Sequence, residues 1–455
     1  MRQATLAQIA SVIEAKLVGG DGDTLVTGVN VDSRTVRDGD LFFALTGETD
    51  GMDYASHANE RGASATVASQ PLDVPTLVVD DPQSALAKLA RWNLEADNSP
   101  LVVGITGSVG KTTTKDALAT ILRFAGKRVS ATEGNFNNEI GLPLTVLAAP
   151  EATEILVLEM GATHAGDIKH LCGVAPPSVG ILTAIAPVHL DSFGSIEDLA
   201  AAKGELAMCL PKDGAFVYPN DVLDAARGAG RSFGKSIAFT GEGEADLWAS
   251  EVEEREDGLR FTVNYGEKSA EVRTPAFGTH LMSPLLGAIG GALTLGLSLE
   301  ECAAGLARLK RTGLRGEVYK LRDDIVVYDD SYNASPVAMS AVLRYGATHA
   351  ESQGRRLVAV FGGMFELGGG AREYHREIGA LSDEVGVDLL LCVGDEARWY
   401  AEAFSGDSST HSNAEEAADA LEEALQPGDY VIVKGSRGVK LDILTRKLRE
   451  RLALV

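Results

Sequence analysis

The stretch GITGSVGKTTT, from Gly104 to Thr114, decides the fold of this chain. It follows an apolar run that begins at Leu101 and is typical of a buried strand, and it precedes KDALATILRFAG, whose apolar spacing predicts an amphipathic helix. A glycine-rich turn between a strand and a helix directs backbone N–H groups toward a phosphate at the helix N-terminus. The sequence therefore predicts a phosphate-binding loop within a doubly wound α/β sheet. The residues expected to bind ATP in this loop are Gly107, Ser108, Val109, Gly110, Lys111, Thr112 and Thr113.

Two residues of the loop have specific expected roles. Lys111 should reach the β and γ phosphates, and the Thr112 hydroxyl should be a ligand of Mg²⁺. The strict GxxxxGK[ST] pattern has glycine where this chain has Ile105, so a glycine-rich turn without a ligand is the alternative. ATP is expected rather than GTP, because no NKxD-type guanine signature occurs in the chain.

Length and charge exclude several classes of protein. The chain has 455 residues, which favours three domains at about 150 residues each. Its 41 Lys and Arg residues and 65 Asp and Glu residues give a net charge of −24, which opposes binding to nucleic acid. No apolar run approaches the roughly 20 residues of a membrane span. The N-terminal MRQATLAQIASVIEAK predicts an amphipathic helix rather than a signal peptide, and four dispersed cysteines without a CxxC pair fit a reducing cytoplasm.

The pattern of apolar runs divides the chain into three α/β regions. Residues 1–96, with short runs such as LFFAL and TLVV, predict a small α/β domain. Residues 97–311 predict the central doubly wound sheet, to which GAFVY, LRFTVNY and AEVRTP near 213–277 should add antiparallel strands. Residues 312–455 predict a Rossmann-like domain, because DDIVVYDDSYNASP, LVAVFGGM, VDLLLCVGD and DYVIVKGS are strand-then-turn units.

Three further residues are candidates for a metal centre. Glu159 lies at the end of the apolar run ILVLE, the position from which open α/β sheets present ligands to a nucleotide. His189 also follows a strand-like run, and taken alone a structural histidine is an equal alternative. Lys203 falls within an apolar stripe at helical spacing, where a cation is out of place unless it reaches the edge of the stripe.

The order of the motifs along nearly the whole chain resembles that of the Mur ligases of peptidoglycan assembly. The motifs are, in order, GITGSVGKTTT, LEM, VHLDSFGS, AAKGEL, GLRGE, DDSYNASP and KGSRG. NFNNEIGLPL and GGMFEL are most similar to the family member that joins D-alanyl-D-alanine to UDP-N-acetylmuramoyl-tripeptide. The resemblance implies a cytoplasmic ATP-dependent amide ligase that acts through an acyl phosphate and works as a monomer on these small molecules.

The resemblance also implies roles for individual residues. Thr112 and Glu159 would hold one Mg²⁺, and Glu159, His189 and a carbamylated Lys203 would hold a second. Lys111 and Arg315 would act on the transferred phosphoryl group and on ATP, with Asp330 and Asn333 contacting the nucleotide from the third domain. The residues that would bind the substrates are Ser33, Arg34, Asn135, Asn137, Asn138, Lys434 and Arg437.

The chain departs from the family beside the adenine. The family usually begins a helix there with HNxxNA, whereas this chain has HLMSPL from His280 to Leu285, without either asparagine. Ser335 also replaces the commoner asparagine of DDSYNANP, although serine can still cap the following helix. We therefore expect adenine to be held by apolar contact and backbone groups.

Two other functions are compatible with parts of the sequence. A P-loop switch that hydrolyses ATP would explain Lys111 and Glu159 but not NFNNEIGLPL. A neighbouring ligase that adds a single amino acid is the other alternative, and the absence of a DNPR-like motif in the third region argues against the diaminopimelate-adding enzyme. The sequence does not identify the third residue of the tripeptide.

Overall fold

The computed structural model describes residues 1–47, 49–95, 99–186, 190–228, 230–255, 258–310 and 316–453, without the side chains of 190 and 191. Its strands form one two-stranded ribbon and three larger sheets of five, nine and six strands. Each of the three larger sheets lies within one of the three regions of the chain that the sequence distinguishes.

The first region is a small α/β unit. Its five-stranded sheet has the order β2-β7-β6-β5-β4, and all neighbours are parallel except β2 and β7. The first helix begins with a capping box between Thr5 and Gln8, and it is shorter than the amphipathic run in the sequence. In chain order the elements are β1 (Ala4–Thr5), α1 (Leu6–Val12), β2 (Lys16–Val18), β3 (Leu25–Val26), β4 (Gly28–Asn30), β5 (Asp40–Phe43), α2 (Ala55–Glu60), β6 (Ala65–Ala68), β7 (Thr76–Val78) and α3 (Pro82–Asn93).

The second region contains the nine-stranded sheet, in the order β16-β15-β14-β13-β12-β11-β8-β10-β9. The seven strands from β14 to β9 in that order run parallel, whereas β15 and β16 are antiparallel additions. The elements are β8 (Leu101–Thr106), α4 (Lys111–Phe124), β9 (Val129–Ala131), α5 (Gly141–Ala148), β10 (Ile155–Glu159), α6 (Asp167–Val174), β11 (Val179–Leu182), α7 (Leu190–Phe193), α8 (Ile196–Cys209), β12 (Ala215–Pro219), β13 (Lys235–Thr240), β14 (Leu247–Arg255), β15 (Gly258–Tyr265), β16 (Lys268–Thr274), α9 (Met282–Thr294) and α10 (Leu299–Leu306).

One expectation for the second region is wrong. GAFVY contributes β12, which is parallel to both β11 and β13 in the interior of the sheet, rather than antiparallel. A short apolar run looks the same in either direction, because strand direction depends on the connections and not on the residues of the strand. LRFTVNY and AEVRTP do form the antiparallel pair β15 and β16.

The third region has a six-stranded sheet in the order β17-β18-β22-β19-β20-β21, parallel except for β17. The four predicted strand-then-turn units are β18, β19, β20 and β22. The elements are β17 (Glu317–Lys320), β18 (Val326–Asp330), α11 (Pro336–Ser352), β19 (Leu357–Gly362), α12 (Ala371–Glu384), β20 (Leu389–Val393), α13 (Arg398–Ala401), β21 (Asp407–His411), α14 (Ala414–Ala424), β22 (Tyr430–Lys434) and α15 (Asp442–Arg451).

Buried apolar side chains connect the three regions. One core cluster contains Leu86 and Leu89 of α3 together with Leu142 and Val146 of α5, so the first and second regions share a core. Phe277 of the second region belongs to the core cluster of the third. Within the described residues, no helix has both the length and the apolarity that crossing a bilayer requires.

Candidate active site

A cavity of about 1240 Å³ lies at the carboxyl ends of β8 and β10 and extends to the third region. The carboxyl ends of parallel strands are where open α/β sheets bind their ligands. We call this space the main cavity. Most of the predicted site residues line it, namely Ser108, Val109, Gly110, Lys111, Thr112, Thr113, Asn135, Asn137, Asn138, Glu159, Lys203, Asp330, Asn333, Lys434 and Arg437.

The predicted phosphate loop connects β8 to the N-terminus of α4, which begins at Lys111. Gly107 has a φ of +145°, and a Cβ atom there would lie 2.2 Å from the Thr183 hydroxyl oxygen, so only glycine fits. Ile105 is a strand residue paired with Glu159 and Ile181. The loop therefore forms without the glycine that the strict pattern has at that position.

The Lys111 ammonium lies over this loop. Its Nζ donates to the carbonyl oxygens of Gly107 and Ser108, at 2.8 Å and 3.2 Å. The ammonium is thus held next to the first N–H groups of α4, where a helix attracts phosphate. The arrangement is suited to binding a polyphosphate.

Glu159 is 3% exposed and its carboxylate has a hydrogen bond to each oxygen. Oε2 accepts from the Thr112 hydroxyl at 2.8 Å, and Oε1 accepts from Asn137 Nδ2 at 2.8 Å. The Glu159 backbone N–H donates to the Thr132 hydroxyl oxygen at 2.9 Å. Thr112 of α4, Asn137 of the loop before α5 and Thr132 after β9 therefore fix Glu159, at the end of β10, beside the phosphate loop.

The donor set at Glu159 fits Mg²⁺. This ion prefers oxygen ligands and normally uses one or two carboxylates together with water and substrate phosphates. The Thr112 hydroxyl and the Glu159 carboxylate supply such oxygens next to the phosphate loop. The described part of the chain contains no group of three or more His, Cys, Asp or Glu residues that could hold a metal alone.

Lys203 is buried in α8, with 2% of its surface exposed, and does not reach the edge of the apolar stripe. Its Nζ donates to the Ala162 carbonyl oxygen at 3.0 Å and lies 5.6 Å from the centre of the Phe193 ring. Burial, followed by the nearby charge of Lys111, lowers the pKa of Lys203 to about 7. A substantial fraction of this amine is therefore neutral near pH 7.

The asparagine-rich loop that precedes α5 has mixed roles. Asn137 orients Glu159, and its carbonyl oxygen accepts from the Gly161 N–H at 2.7 Å. Asn138 Oδ1 accepts from the N–H groups of Gly141 and Ile140, at 2.9 Å and 3.3 Å, in the turn that leads into α5. Part of the asparagine pattern is therefore turn chemistry.

The third region contributes a buried ion pair to the main cavity. Lys434, at the end of β22, donates to the Asp330 carboxylate and to the Asn333 carbonyl oxygen, the latter at 2.9 Å. Asp330 and Lys434 are neighbours across the parallel strands β18 and β22. Arg437 lies in the following turn, where it is half-exposed and pairs with Asp442 at 3.0 Å.

Another part of the main cavity is apolar. It lies where the second and third regions face each other, and we call it the base end. Its apolar residues are Phe277, Leu281 and Pro284 from the second region and Ala334, Val337 and Ala338 from the third. Burial lowers the pKa of His280, which also lines the cavity, to about 4, with a smaller opposing effect from Asp330.

Two predicted residues, Ser33 and Arg34, lie apart from this arrangement. Ser33 is buried and its hydroxyl oxygen lies 3.0 Å from His57 Nδ1, while Arg34 is exposed and pairs with Asp32 at 2.7 Å. Neither residue lines the main cavity. His189 and Arg315 lie outside the described residues.

Sequence reasoning missed several residues of the site. Thr132 directly follows β9, and this strand-end position was the available signal. Gln83, His164 and His170 also line the main cavity. Gln83 comes from the first region, at the start of α3, so its position depends on packing between regions and not on a local pattern.

Comparisons with known proteins agree with this geometry. The matching family models are described as Mur ligase family, catalytic domain, over residues 25–93, Mur ligase middle domain, over 105–292, and Mur ligase, glutamate ligase domain, over 314–437. The UDP-N-acetylmuramoyl-tripeptide–D-alanyl-D-alanine ligase of Bacillus subtilis is 34% identical over 465 residues, covering 99% of each chain.

Two solved structures extend this similarity to the fold. The UDP-N-acetylmuramoylalanyl-D-glutamyl-2,6-diaminopimelate–D-alanyl-D-alanyl ligase of Acinetobacter baumannii has a TM-score of 0.87 and 26% identity, with 99% of each chain covered. The MurF ligase of Thermotoga maritima, solved in complex with ADP, has a TM-score of 0.81 and 30% identity, with 94% of this chain and 99% of that chain covered.

Proposed function

Because the chain belongs to the Mur ligase family, we propose that it joins D-alanyl-D-alanine to UDP-N-acetylmuramoyl-tripeptide, with conversion of ATP to ADP and phosphate, in peptidoglycan synthesis. The observation that carries the proposal is the main cavity, in which a phosphate loop, a fixed carboxylate and a buried lysine occur together. A relative with 34% identity across 99% of the chain supports the choice of substrates.

The proposed chemistry explains why ATP is needed. A carboxylate is unreactive toward an amine, and its oxygen is a poor leaving group. Transfer of the γ-phosphoryl group to a carboxylate oxygen of the tripeptide forms an acyl phosphate and releases ADP. The D-alanyl-D-alanine amine then attacks the acyl carbon, the amine loses a proton, and phosphate leaves with the bridging oxygen.

The phosphate loop residues would offset the repulsion between the carboxylate and ATP. Lys111 would exchange its carbonyl acceptors for phosphate oxygens and neutralise charge during the transfer. Thr112 and Glu159 would hold Mg²⁺, and Asn137 would keep the carboxylate of Glu159 oriented. Mg²⁺, when bound, supplies positive charge to the phosphate oxygens and helps to align the reacting groups.

A second Mg²⁺ would need a modified Lys203. The neutral amine would add to carbon dioxide, forming an N–C bond and losing one proton, to give an anionic carbamate with two oxygens. Burial of Lys203 and its pKa of about 7 favour this reaction. The carbamate would hold the ion together with Glu159 and His189, the latter being a residue outside the described part of the chain.

The third region would complete the nucleotide site. Asp330, Asn333 and Arg315 would contact ATP from that side, and the apolar base end would hold adenine by contact. We assign residues 1–96 to binding the UDP-sugar, 97–311 to ATP and 312–455 to the amine substrate and nucleotide. Closure of the third domain would exclude water from the acyl phosphate.

The UDP-muramoyl-tripeptide receives the amine, and we call it the acceptor. It would extend from the metal centre toward the first region. Ser33 and Arg34 would contact the uridine part, whereas Asn135, Asn137, Asn138, Lys434 and Arg437 would lie nearer the peptide or its acyl phosphate. Lys434 already neutralises Asp330, so its charge is shared with the nucleotide side. We expect the enzyme to act as a monomer in the cytoplasm, where ATP and nucleotide-linked sugars occur.

The test is phosphate release across a panel of UDP-muramoyl peptides and amines. We expect release only when both the tripeptide and D-alanyl-D-alanine are present, with one ligated product for each phosphate. A P-loop switch would release phosphate without an amine, and a neighbouring ligase would require a shorter peptide and a single amino acid. Either outcome would overturn the proposal.

A further inference from the structure

One wall of the main cavity carries two histidines for which the proposed mechanism has no role. His164 lies in the connection between β10 and α6, and His170 lies in the first turns of α6. Both side chains are exposed and line the main cavity, as do Asn135 and Gln83. We call these four residues the histidine wall. Its members come from two regions of the chain, since Gln83 belongs to α3 of the first region and the other three residues belong to the second.

The backbone that carries this wall is fixed by carboxylates. Asp167 Oδ2 accepts from the N–H groups of Thr163 and His164, at 2.9 Å and 2.8 Å. Glu205 accepts from the N–H groups of Gly166 and Lys169, at 2.6 Å and 2.9 Å. The connection therefore has a defined conformation although its histidines are exposed.

The histidine wall begins close to Lys203. Ala162, whose carbonyl oxygen accepts from Lys203 at 3.0 Å, precedes His164 by two positions. The Thr163 hydroxyl oxygen lies 3.1 Å from His164 Nδ1, which orients the ring and leaves Nε2 for a ligand. His170 is one helical turn after Asp167, so it lies farther along the same face of α6.

The proposed acceptor would cross this wall. Its reacting carboxylate must lie within reach of the γ-phosphate held by the phosphate loop, whereas the rest of the acceptor would continue toward the first region. A tripeptide in extended form spans roughly 10 Å, at about 3.3–3.6 Å for each residue. The residues that precede the reacting carboxylate would therefore extend well away from the phosphate loop along the main cavity.

The chemistry of the acceptor supplies a partner for imidazole. The name of the ligase from Acinetobacter baumannii specifies an alanyl-D-glutamyl-diaminopimelate peptide. A glutamyl residue in a linear peptide uses one of its two carboxyl groups for the next peptide bond, so the other is a free carboxylate. An imidazole N–H is a suitable donor to that group.

We infer that His164 and His170 bind the free carboxylate of the glutamyl residue and thereby select acidic acceptor peptides. This inference depends on the proposed ligase function. Asp167 is an acidic residue that lines the same cavity. Its carboxylate already accepts hydrogen bonds from the backbone N–H groups of its own loop.

The test compares two acceptors with the full-length enzyme. One is the UDP-muramoyl-tripeptide with a free glutamyl carboxylate, and the other carries an amide at that carboxyl group. We expect His164→Ala and His170→Ala each to raise the KM for the carboxylate acceptor about tenfold. The KM for the amide acceptor and the KM for ATP should stay unchanged. Lys169→Ala is the matched control, since Lys169 is an exposed cation of the same helix that does not line the cavity.

The outcomes separate this inference from the proposed function. If the histidine variants raise the KM equally for both acceptors, or for neither, the inference is overturned. Normal ligation by the wild-type enzyme would at the same time leave the proposed function intact. An absence of ligation by the wild-type enzyme with either acceptor would instead overturn the proposed function. His164→Gln and His170→Gln, which keep a side-chain N–H donor, should recover part of the lost affinity if the contact is a hydrogen bond.

Discussion

The part of the main cavity next to the phosphate loop, which we call the phosphate end, differs from the base end. At the phosphate end, polar side chains of the second region hydrogen-bond each other, whereas at the base end apolar side chains of two regions face each other. Thr112, Glu159 and Asn137 form a connected set with distances of 2.8 Å. Phe277 and Leu281 of the second region and Val337 of the third supply apolar surface there.

The difference has a physical cause. The strand ends of one sheet are fixed relative to each other by backbone hydrogen bonds, so the side chains that they carry are positioned before any ligand arrives. The base end depends on how two sheets are placed. We therefore expect changes at the phosphate end to affect the chemical step, and changes at the base end to affect which nucleotide is accepted.

The largest effect should come from Lys111→Ala. The variant should lose ligation by a factor of at least about 10²–10³, because the ammonium offsets phosphoryl charge during the transfer. Its thermal unfolding midpoint should stay close to that of the wild type, since the lysine is only half-buried and bonds to loop carbonyls. Near-normal turnover in a coupled ADP assay would contradict the assignment of the phosphate end.

Lys203→Ala should have the next largest effect. We expect most activity to be lost and part of it to return when a short-chain carboxylic acid is added, since the acid can replace the oxygens of the carbamate. Lys212→Ala, at an exposed lysine just beyond α8, serves as the control and should keep full activity. A fully active Lys203→Ala variant would contradict the role of the carbamate.

The carbamate itself should depend on pH. Because burial lowers the pKa of Lys203 to about 7, the neutral amine predominates above that pH and the ammonium below it. With ¹³C-labelled bicarbonate, an NMR carbamate signal should be strong at about pH 8.5 and fade at about pH 6. The signal should be absent from Lys203→Ala, and its persistence in that variant would assign it to another amine.

Asn137→Ala should have a moderate effect at the phosphate end. Loss of the hydrogen bond to Glu159 should raise the Mg²⁺ concentration for half-maximal activity about tenfold. Asn138→Ala is the comparison, because the Asn138 side chain bonds to backbone N–H groups at the start of α5, whereas that of Asn137 bonds to Glu159. The Asn138→Ala change should lower the free energy of unfolding by about 1 kcal/mol and raise the KM for tripeptide more than that for ATP. The same Mg²⁺ response in both variants would contradict the separate roles.

The smallest effect should appear at the base end. With apolar contacts in place of two asparagine amides, the kcat/KM values for ATP and GTP should differ by no more than about tenfold. Leu281→Asn, which restores a polar residue at the start of α9, should increase the preference for ATP. A strong preference for ATP in the wild-type enzyme would show that adenine is recognised by hydrogen bonds at this end.

The same contrast explains what the sequence could predict. The phosphate loop, Glu159 and Lys203 were named as site candidates from the sequence because each belongs to a local motif at a strand end or on one helix, and residues of all three line one cavity. Gln83 and Phe277 were not, because they reach the cavity through packing between regions. Their positions depend on contacts that are distant in the chain.

The prediction of strands also depended on whether the signal was local. The buried apolar strands of the third region were predicted from their residues, whereas β21, with the sequence DSSTH, was missed. It lies at the edge of its sheet, where one side has no neighbouring strand and polar residues are tolerated. The direction of β12 was also mistaken, since direction depends on the crossover and not on the apolar run.

The most direct test of the account follows the oxygen atoms of the acceptor carboxylate. If the carboxylate attacks the γ-phosphorus of ATP, a tripeptide labelled with ¹⁸O in that carboxyl group should transfer one ¹⁸O to inorganic phosphate in each turnover. This is the predicted result when D-alanyl-D-alanine is present. Phosphate that contains no ¹⁸O from the tripeptide would mean that water attacks ATP, and it would contradict the ligase mechanism.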